Sequence, residues 1–170
     1  MMQEKLTIVP GIKVKWKGIF SMDGLYKNIK FWLDYQGYGN QDKTFQEEKY
    51  VERIKGESKQ LEIRWVARKD VSDYFSFVIQ IAFFVLGLKD VEIEKDGKKI
   101  KTQAGEIEIR IKSHILTDRS KKWGESKGMF QSIYEKFIIA DRIDDYKINL
   151  YSKTYAMQDE IKSYLTMRQY

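Results

Sequence analysis

The sequence predicts a single α+β domain: an antiparallel meander of five to six strands, an N-terminal strand–helix unit, and two C-terminal helices packed on one face of the sheet. Three observations predict it. Apolar residues alternate with lysines over residues 12–20, a period of two that belongs to a half-buried strand. Asp96-Gly97 lies inside a long alternating stretch and marks a hairpin, because glycine tolerates the positive φ of a tight turn. The last third of the chain repeats its apolar residues at helical spacing instead.

In chain order, the first strand sets Ile12, Val14, Trp16 and Phe20 on one face and Lys13, Lys15 and Lys17 on the other. Ser21 or Asp23 can cap the helix that follows, with Met22, Leu25, Tyr26, Ile29, Trp32 and Leu33 as its apolar face and Gly37 and Gly39 as its end. Two strands are expected over 45–54 and 60–68 around a turn at Gly56, with Leu61, Ile63 and Trp65 inward. A turn over 70–73 leads to the long hairpin.

Folding the chain at Asp96-Gly97 sets Lys95 against Lys98, Glu94 against Lys99, Ile93 against Ile100 and Glu92 against Lys101. The opposite-charge and apolar pairs contribute ~0.2–1 kcal/mol each. Farther out this register fails by one. The inward set is odd on both strands (Phe75, Phe77, Ile79, Ile81 and Phe83; Ile107, Ile109 and Ile111), whereas Ile100 is even. One strand must carry an extra residue, and Ala104-Gly105 is the expected bulge. That choice puts Phe83 opposite Ile111 and Ile79 opposite Ile115.

Ser126 can cap a helix with Met129, Phe130, Ile133, Tyr134 and Phe137 as its stripe. The acidic residues over 141–145 are expected to break it. A final helix over 144–167, roughly 36 Å long, then carries Ile143, Lys147, Leu150, Thr154, Met157, Ile161 and Tyr164 at helical spacing. Ile148, Tyr151 and Tyr155 make a second stripe on a neighbouring face.

With 170 residues and one proline there is no linker or repeat, so residues 1–170 read as one domain. The absence of cysteine excludes disulfides, zinc fingers and thiol nucleophiles, and a single histidine, His114, excludes His–His metal sites. His114 has outward parity and is expected to be solvated. Asp141, Asp144 and Asp145 lack calcium-loop spacing and read as residues near a helix start. Neither glycine-rich phosphate motif occurs. No catalytic constellation, cofactor or metal is therefore expected. The most apolar run, residues 75–88, is too short to span a bilayer as a helix, and the N-terminal residues lack a signal peptide's apolar core.

The leading functional expectation is a non-enzymatic interaction or assembly protein. A helix with two apolar stripes must bury the second one, and Ile148, Tyr151, Tyr155 and Tyr164 are the candidate interface with a partner protein or a second copy. The net charge of +6 permits polyanions. Lys13, Lys15, Lys17, Arg64, Arg68, Arg110 and Lys112 could form a basic sheet face for RNA or DNA, although edge lysines also block strand-to-strand aggregation. The alternation sends the aromatic residues beside these lysines to the opposite face.

The order strand, helix, antiparallel meander and long C-terminal helix resembles the helix-grip layout of START-like lipid-binding domains. That resemblance implies an apolar small molecule or lipid held between the last helix and the sheet, although the break over 141–145 departs from the layout. The segments Phe20-Ser21-Met22-Asp23-Gly24-Leu25-Tyr26, Asp73-Tyr74 and Lys136-Phe137-Ile138-Ile139 before Asp141 are similar to a group of uncharacterised archaeal proteins. That similarity implies a cytoplasmic archaeal origin and carries no activity.

Overall fold

The computed structural model describes residues 5–39, 45–72, 74–117, 133 and 140–167. Five strands form one antiparallel sheet: β1 (Lys5–Ile19), β2 (Phe45–Lys55), β3 (Ser58–Asp70), β4 (Ser76–Lys95) and β5 (Lys98–Leu116), in the order β1-β5-β4-β3-β2. Helix α1 (Met22–Tyr35) joins β1 at one edge to β2 at the other, and helix α2 (Ala140–Met167) follows the sheet. The helix expected over residues 126–137 lies outside the described residues except for Ile133, which is exposed. Among the described residues no helix is long and apolar enough to cross a membrane.

β1 begins seven residues before the expected start at Ile12. Pro10 and Gly11 interrupt the alternation, but the strand passes them through two register shifts, between Thr7 and Val9 and between Val9 and Ile12. Proline is tolerated there because β1 is an edge strand whose outward N–H groups have no ladder partner. α1 starts where expected. Ser21 Oγ accepts from Gly24 N at 3.2 Å, and the Gln103 side chain of β5 accepts from Met22 N at 3.0 Å, so two of the helix's orphan donors are satisfied.

The hairpin forms in the expected register, from Lys95 opposite Lys98 to Glu92 opposite Lys101. The bulge also exists, but on the other strand. Phe83 pairs with Ile109 and Ile79 with Ser113, so the extra residue belongs to β4, between Leu86 and Lys89, not to β5. Gly87 takes φ +60, the left-handed conformation of a glycine bulge. Gly105 faces it across the ladder, where an added Cβ would lie 3.0 Å from Leu86 O. Inward parity on β4 accordingly switches from Val85 to Leu88, both buried.

Both helices lie on one face of the sheet, called inner below. Met22, Leu25, Ile29 and Leu33 of α1 and Leu150, Met157, Ile161 and Leu165 of α2 join the odd-numbered residues of β3, β4 and β5 in one core. Trp65 is its largest buried ring and meets Tyr26, Phe45 and Phe83 edge-on at centroid distances of 4.7, 5.2 and 4.8 Å. Such pairs contribute roughly 0.5–1.5 kcal/mol each beyond the area they bury. Helix α2 starts at Ala140, four residues before the expected Asp144, so 141–145 are helical; Asp141 lies in its first turn, and the carboxylates of Asp141, Asp144 and Asp145 are on its exposed side. On its buried side Thr154 Oγ1 lies 2.8 Å from Ser113 Oγ and donates to Leu150 O at 2.7 Å.

Candidate functional site

The aromatic stripe of α2 is only partly available. Ile148 is 65% exposed and Tyr151 51%, and the rings of Tyr151 and Tyr155 lie 4.7 Å apart on the helix surface. Tyr164 does not belong with them. It is buried, with its phenol oxygen packed over the first turn of α1, where an added Cβ on Gly24 would meet it at 2.1 Å. The reason is angular: Tyr164 follows Ile161 by three residues and falls on the core stripe, not on the stripe of Tyr151 and Tyr155.

The space between α2 and the sheet is filled. Leu150, Thr154, Met157 and Ile161 are all essentially inaccessible to solvent and face β1 and β5. An open depression of about 300 Å³ lies on the inner face at the start of α1, between Tyr26, Tyr50, Leu61 and Gln103, and no residue of α2 lines it.

The opposite, outer face carries no helix among the described residues. The strand register assembles its charges. Lys49 pairs with Arg64, Arg64 with Ala82, Ala82 with Arg110, and Arg110 with Lys13. Cross-strand partners share a face, so four cations and one small residue form a single row across all five strands. Four inter-strand spacings of about 4.8 Å make that row about 19 Å long. The next row reads Val51, Glu62, Phe84, Glu108 and Lys15. Beyond it Leu86, Glu106 and Lys17 follow, and on the other side Gln46, Val66, Gln80 and Lys112.

All seven sequence-predicted basic residues therefore lie on this face, with Arg68 nearest the end at His114. Sequence reasoning missed Lys49, whose place opposite Arg64 depends on a register shift between Glu47 and Lys49. It also missed Phe84, an aromatic on the basic face where none was expected. Even parity in β4 was the available signal.

Two carboxylates flank Phe84, and each gathers two cations. Glu62 Oε1 lies 2.8 Å from Lys49 Nζ and 3.2 Å from Arg64 Nη2. Glu108 accepts from Arg110 Nε at 2.8 Å and lies 2.7 Å from its Nη2, while Lys15 Nζ is 3.5 Å from its other oxygen. The Lys49 hydrogen bond, more than any other group, holds the Glu62 carboxyl below the usual carboxylate range; desolvation opposes it and is outweighed. At Glu108 desolvation is the largest influence and raises the pKa, but the hydrogen bond and charge of Arg110 with Lys13 and Lys15 outweigh it, and the net shift is downward. The Arg110 guanidinium sits 4.8 Å from the centre of the Phe84 ring. Depressions of about 250 and 470 Å³ meet at Phe84, one lined by Arg64, Arg110 and Lys112, the other by Lys15, Lys17 and Leu86.

This arrangement works against the stability of the sheet. Lys49 opposite Arg64 and Arg110 opposite Lys13 are two like-charge cross-strand pairs, a combination that is unfavourable by itself. Glu62 and Glu108 offset the repulsion without removing the cation excess. Lys13 and Lys112 have no carboxylate within 4.0 Å among the described residues.

His114 does share this face, opposite Val78 and Thr7, but it is 7% exposed where solvation was expected. Desolvation, then the charge of Lys5, lowers its pKa to about 4. Among the described residues no three His, Asp or Glu side chains converge in a way that could hold a metal ion.

No protein-family model and no curated protein matches this chain. Among solved structures it is similar to truncated norcoclaurine synthase from Thalictrum flavum at 12% identity and a TM-score of 0.24, over 98% of this chain and 99% of that one. A likeness this slight bears on neither fold nor chemistry.

Proposed function

We propose that this chain is a non-enzymatic binding protein whose recognition surface is the outer face of its sheet and whose ligand is a polyanion. One observation carries the reading: Lys49, Arg64, Arg110 and Lys13 stand in a single row across the full width of the sheet, despite the repulsion between neighbours. Charge that only kept the edges soluble would gain nothing from crossing the central strands. An anionic chain laid along the row would meet a cation at nearly every strand and convert the repulsion into binding energy. Exposed ion pairs such as those of Glu62 and Glu108 are individually weak, so phosphates can compete for these cations at little cost. The reading is tested by binding of inorganic polyphosphate to the full chain as a function of salt. Affinity should fall steadily as salt rises, because neutralising phosphates releases bound counterions.

A second reading, assembly through α2, is favoured by the exposed Ile148 and the adjacent rings of Tyr151 and Tyr155. The occupant proposed for that stripe is a second copy. Light scattering across a hundredfold concentration range, about two decades around a micromolar dimer constant, should then show a mass rising from one chain to two. Replacing Tyr151 with Asp should hold it at one chain, and a strict monomer for the unaltered protein overturns this reading. The helix-grip alternative gains no support from an interface between α2 and sheet that is filled by side chains.

A further inference from the structure

We infer that the polyanion is single-stranded nucleic acid, with a base stacking at the Phe84–Arg110 pair while the phosphates follow the cationic row. This rests on the proposed polyanion face and adds the chemical class of its ligand. A simple polyanion calls only for charge. The outer face also carries, at its centre, an aromatic ring and a planar guanidinium 4.8 Å apart. A single oxygen of Glu108, Oε2, lies within 2.8 Å of both Nε and Nη2 of that guanidinium and holds it beside the ring. Ring and guanidinium planes are the two protein surfaces on which unpaired bases stack.

The surroundings suit a base better than a bare phosphate. Ala82, in the cationic row beside Phe84, leaves a low saddle between Arg64 and Arg110. Leu86 is half exposed and continues the apolar floor from Phe84 toward Lys17. A base seated on this floor would have Arg64 and Lys112 on one side and Lys15 and Lys17 on the other, the residues that line the two depressions meeting at Phe84. Positively charged grooves with an aromatic stacking position bind single strands with little dependence on sequence. A duplex hides its base faces in the stack and could use only the cations.

The test compares four fluorescently labelled or competing probes on the full chain at one salt concentration. They are a single-stranded RNA of roughly 12 nucleotides, within the span such surfaces engage, a single-stranded DNA of the same sequence, the corresponding duplex, and inorganic polyphosphate. Both single strands should bind about tenfold or more tightly than the duplex and polyphosphate. Phe84→Leu, which keeps apolar volume and removes the ring face, should erase that preference and leave polyphosphate affinity unchanged; Phe84→Tyr should retain it. Circular dichroism confirms that each variant is folded, and Arg110→Lys, which keeps the charge and loses the planar group, reads the same preference should Phe84→Leu not fold. Polyphosphate binding without a single-strand preference, or a preference indifferent to both substitutions, overturns this inference and leaves the polyanion reading standing. Failure of all four probes to bind overturns both.

Discussion

Reversing two charges of the cationic row, Lys13→Glu together with Arg64→Glu, is expected to lower affinity for a single-stranded oligonucleotide by more than about 100-fold at low salt. Two phosphate contacts are lost and two repulsive ones replace them. Because each neutralised phosphate of a single strand contributes about 0.7 to the slope of log affinity against log salt, the slope should flatten by about 1.4. The same substitutions put Glu opposite Arg110 and opposite Lys49, turning both like-charge pairs into attractive ones. Each corrected pair gains ~0.2–1 kcal/mol, offset by loss of the Arg64–Glu62 contact and by a new carboxylate at position 13 near Glu108, so folding stability should change by no more than about 1 kcal/mol. Collapse of binding with folding stability nearly unchanged distinguishes a recognition row from charges kept for solubility. If the row is ordinary surface charge, the double variant binds as the original chain does. Fluorescence anisotropy and chemical denaturation of the same preparation measure both sides.

The second large effect concerns acid. The His114 imidazole has its pKa lowered from 6.5 to about 4 by burial, with a further push from the Lys5 ammonium of β1. Arg68 of β3 and Glu48 of β2 line the same depression. An unfolded chain takes up a proton on His114 below pH 6.5, while the native chain resists it until about pH 4. The stabilisation is thus complete above 6.5 and is lost as the pH falls through 4. By pH 5 the loss should reach about 2 kcal/mol, in a window where the depressed carboxyls of Glu62 and Glu108 remain ionised. Urea denaturation at pH 7 and pH 5 measures it. The midpoint should drop for the unaltered chain, and His114→Leu should remove the part of the drop that this one group contributes. Equal pH dependence in both proteins would mean that His114 takes up its proton as readily in the native chain as in the unfolded one.

Much of the scaffold was legible in the chain because local chemistry admits few alternatives. Asp96-Gly97 sets the hairpin register residue by residue, and Ser21, one of the two candidate caps, is the one that starts α1. The bulge was legible in existence and not in location. A parity mismatch between two strands says that one residue is extra without saying which strand holds it, and glycine sat on both sides, at Gly87 and Gly105. Only the strand pairing, with Gly87 at positive φ, decides the matter. The aspartates at 141–145 marked the start of the last helix to within four residues: it begins at Ala140 with Asp141 in its first turn, and Asp144 and Asp145 follow on its exposed side, where acidic residues are as acceptable as at a helix beginning.

The candidate site was half legible. Alternation put the lysines of β1 and the arginines of β3 and β5 on outward positions, which the structure gathers on one face. Their alignment into a row depends on three inter-strand registers at once, and the entry of Lys49 on a fourth that contains its own shift. None of these is a local property. Burial of His114 and of Tyr164 likewise depends on what packs against them from elsewhere in the chain, so parity gave the face of His114 and missed its solvent exposure.

The slope of log affinity against log salt, measured for polyphosphate and for a single-stranded oligonucleotide on the unaltered chain, tests the polyanion face most directly. Four cations in line predict binding near 50 mM salt that weakens with a slope of about −2 to −3 for the oligonucleotide. No binding of either probe there, or an affinity indifferent to salt, would contradict it.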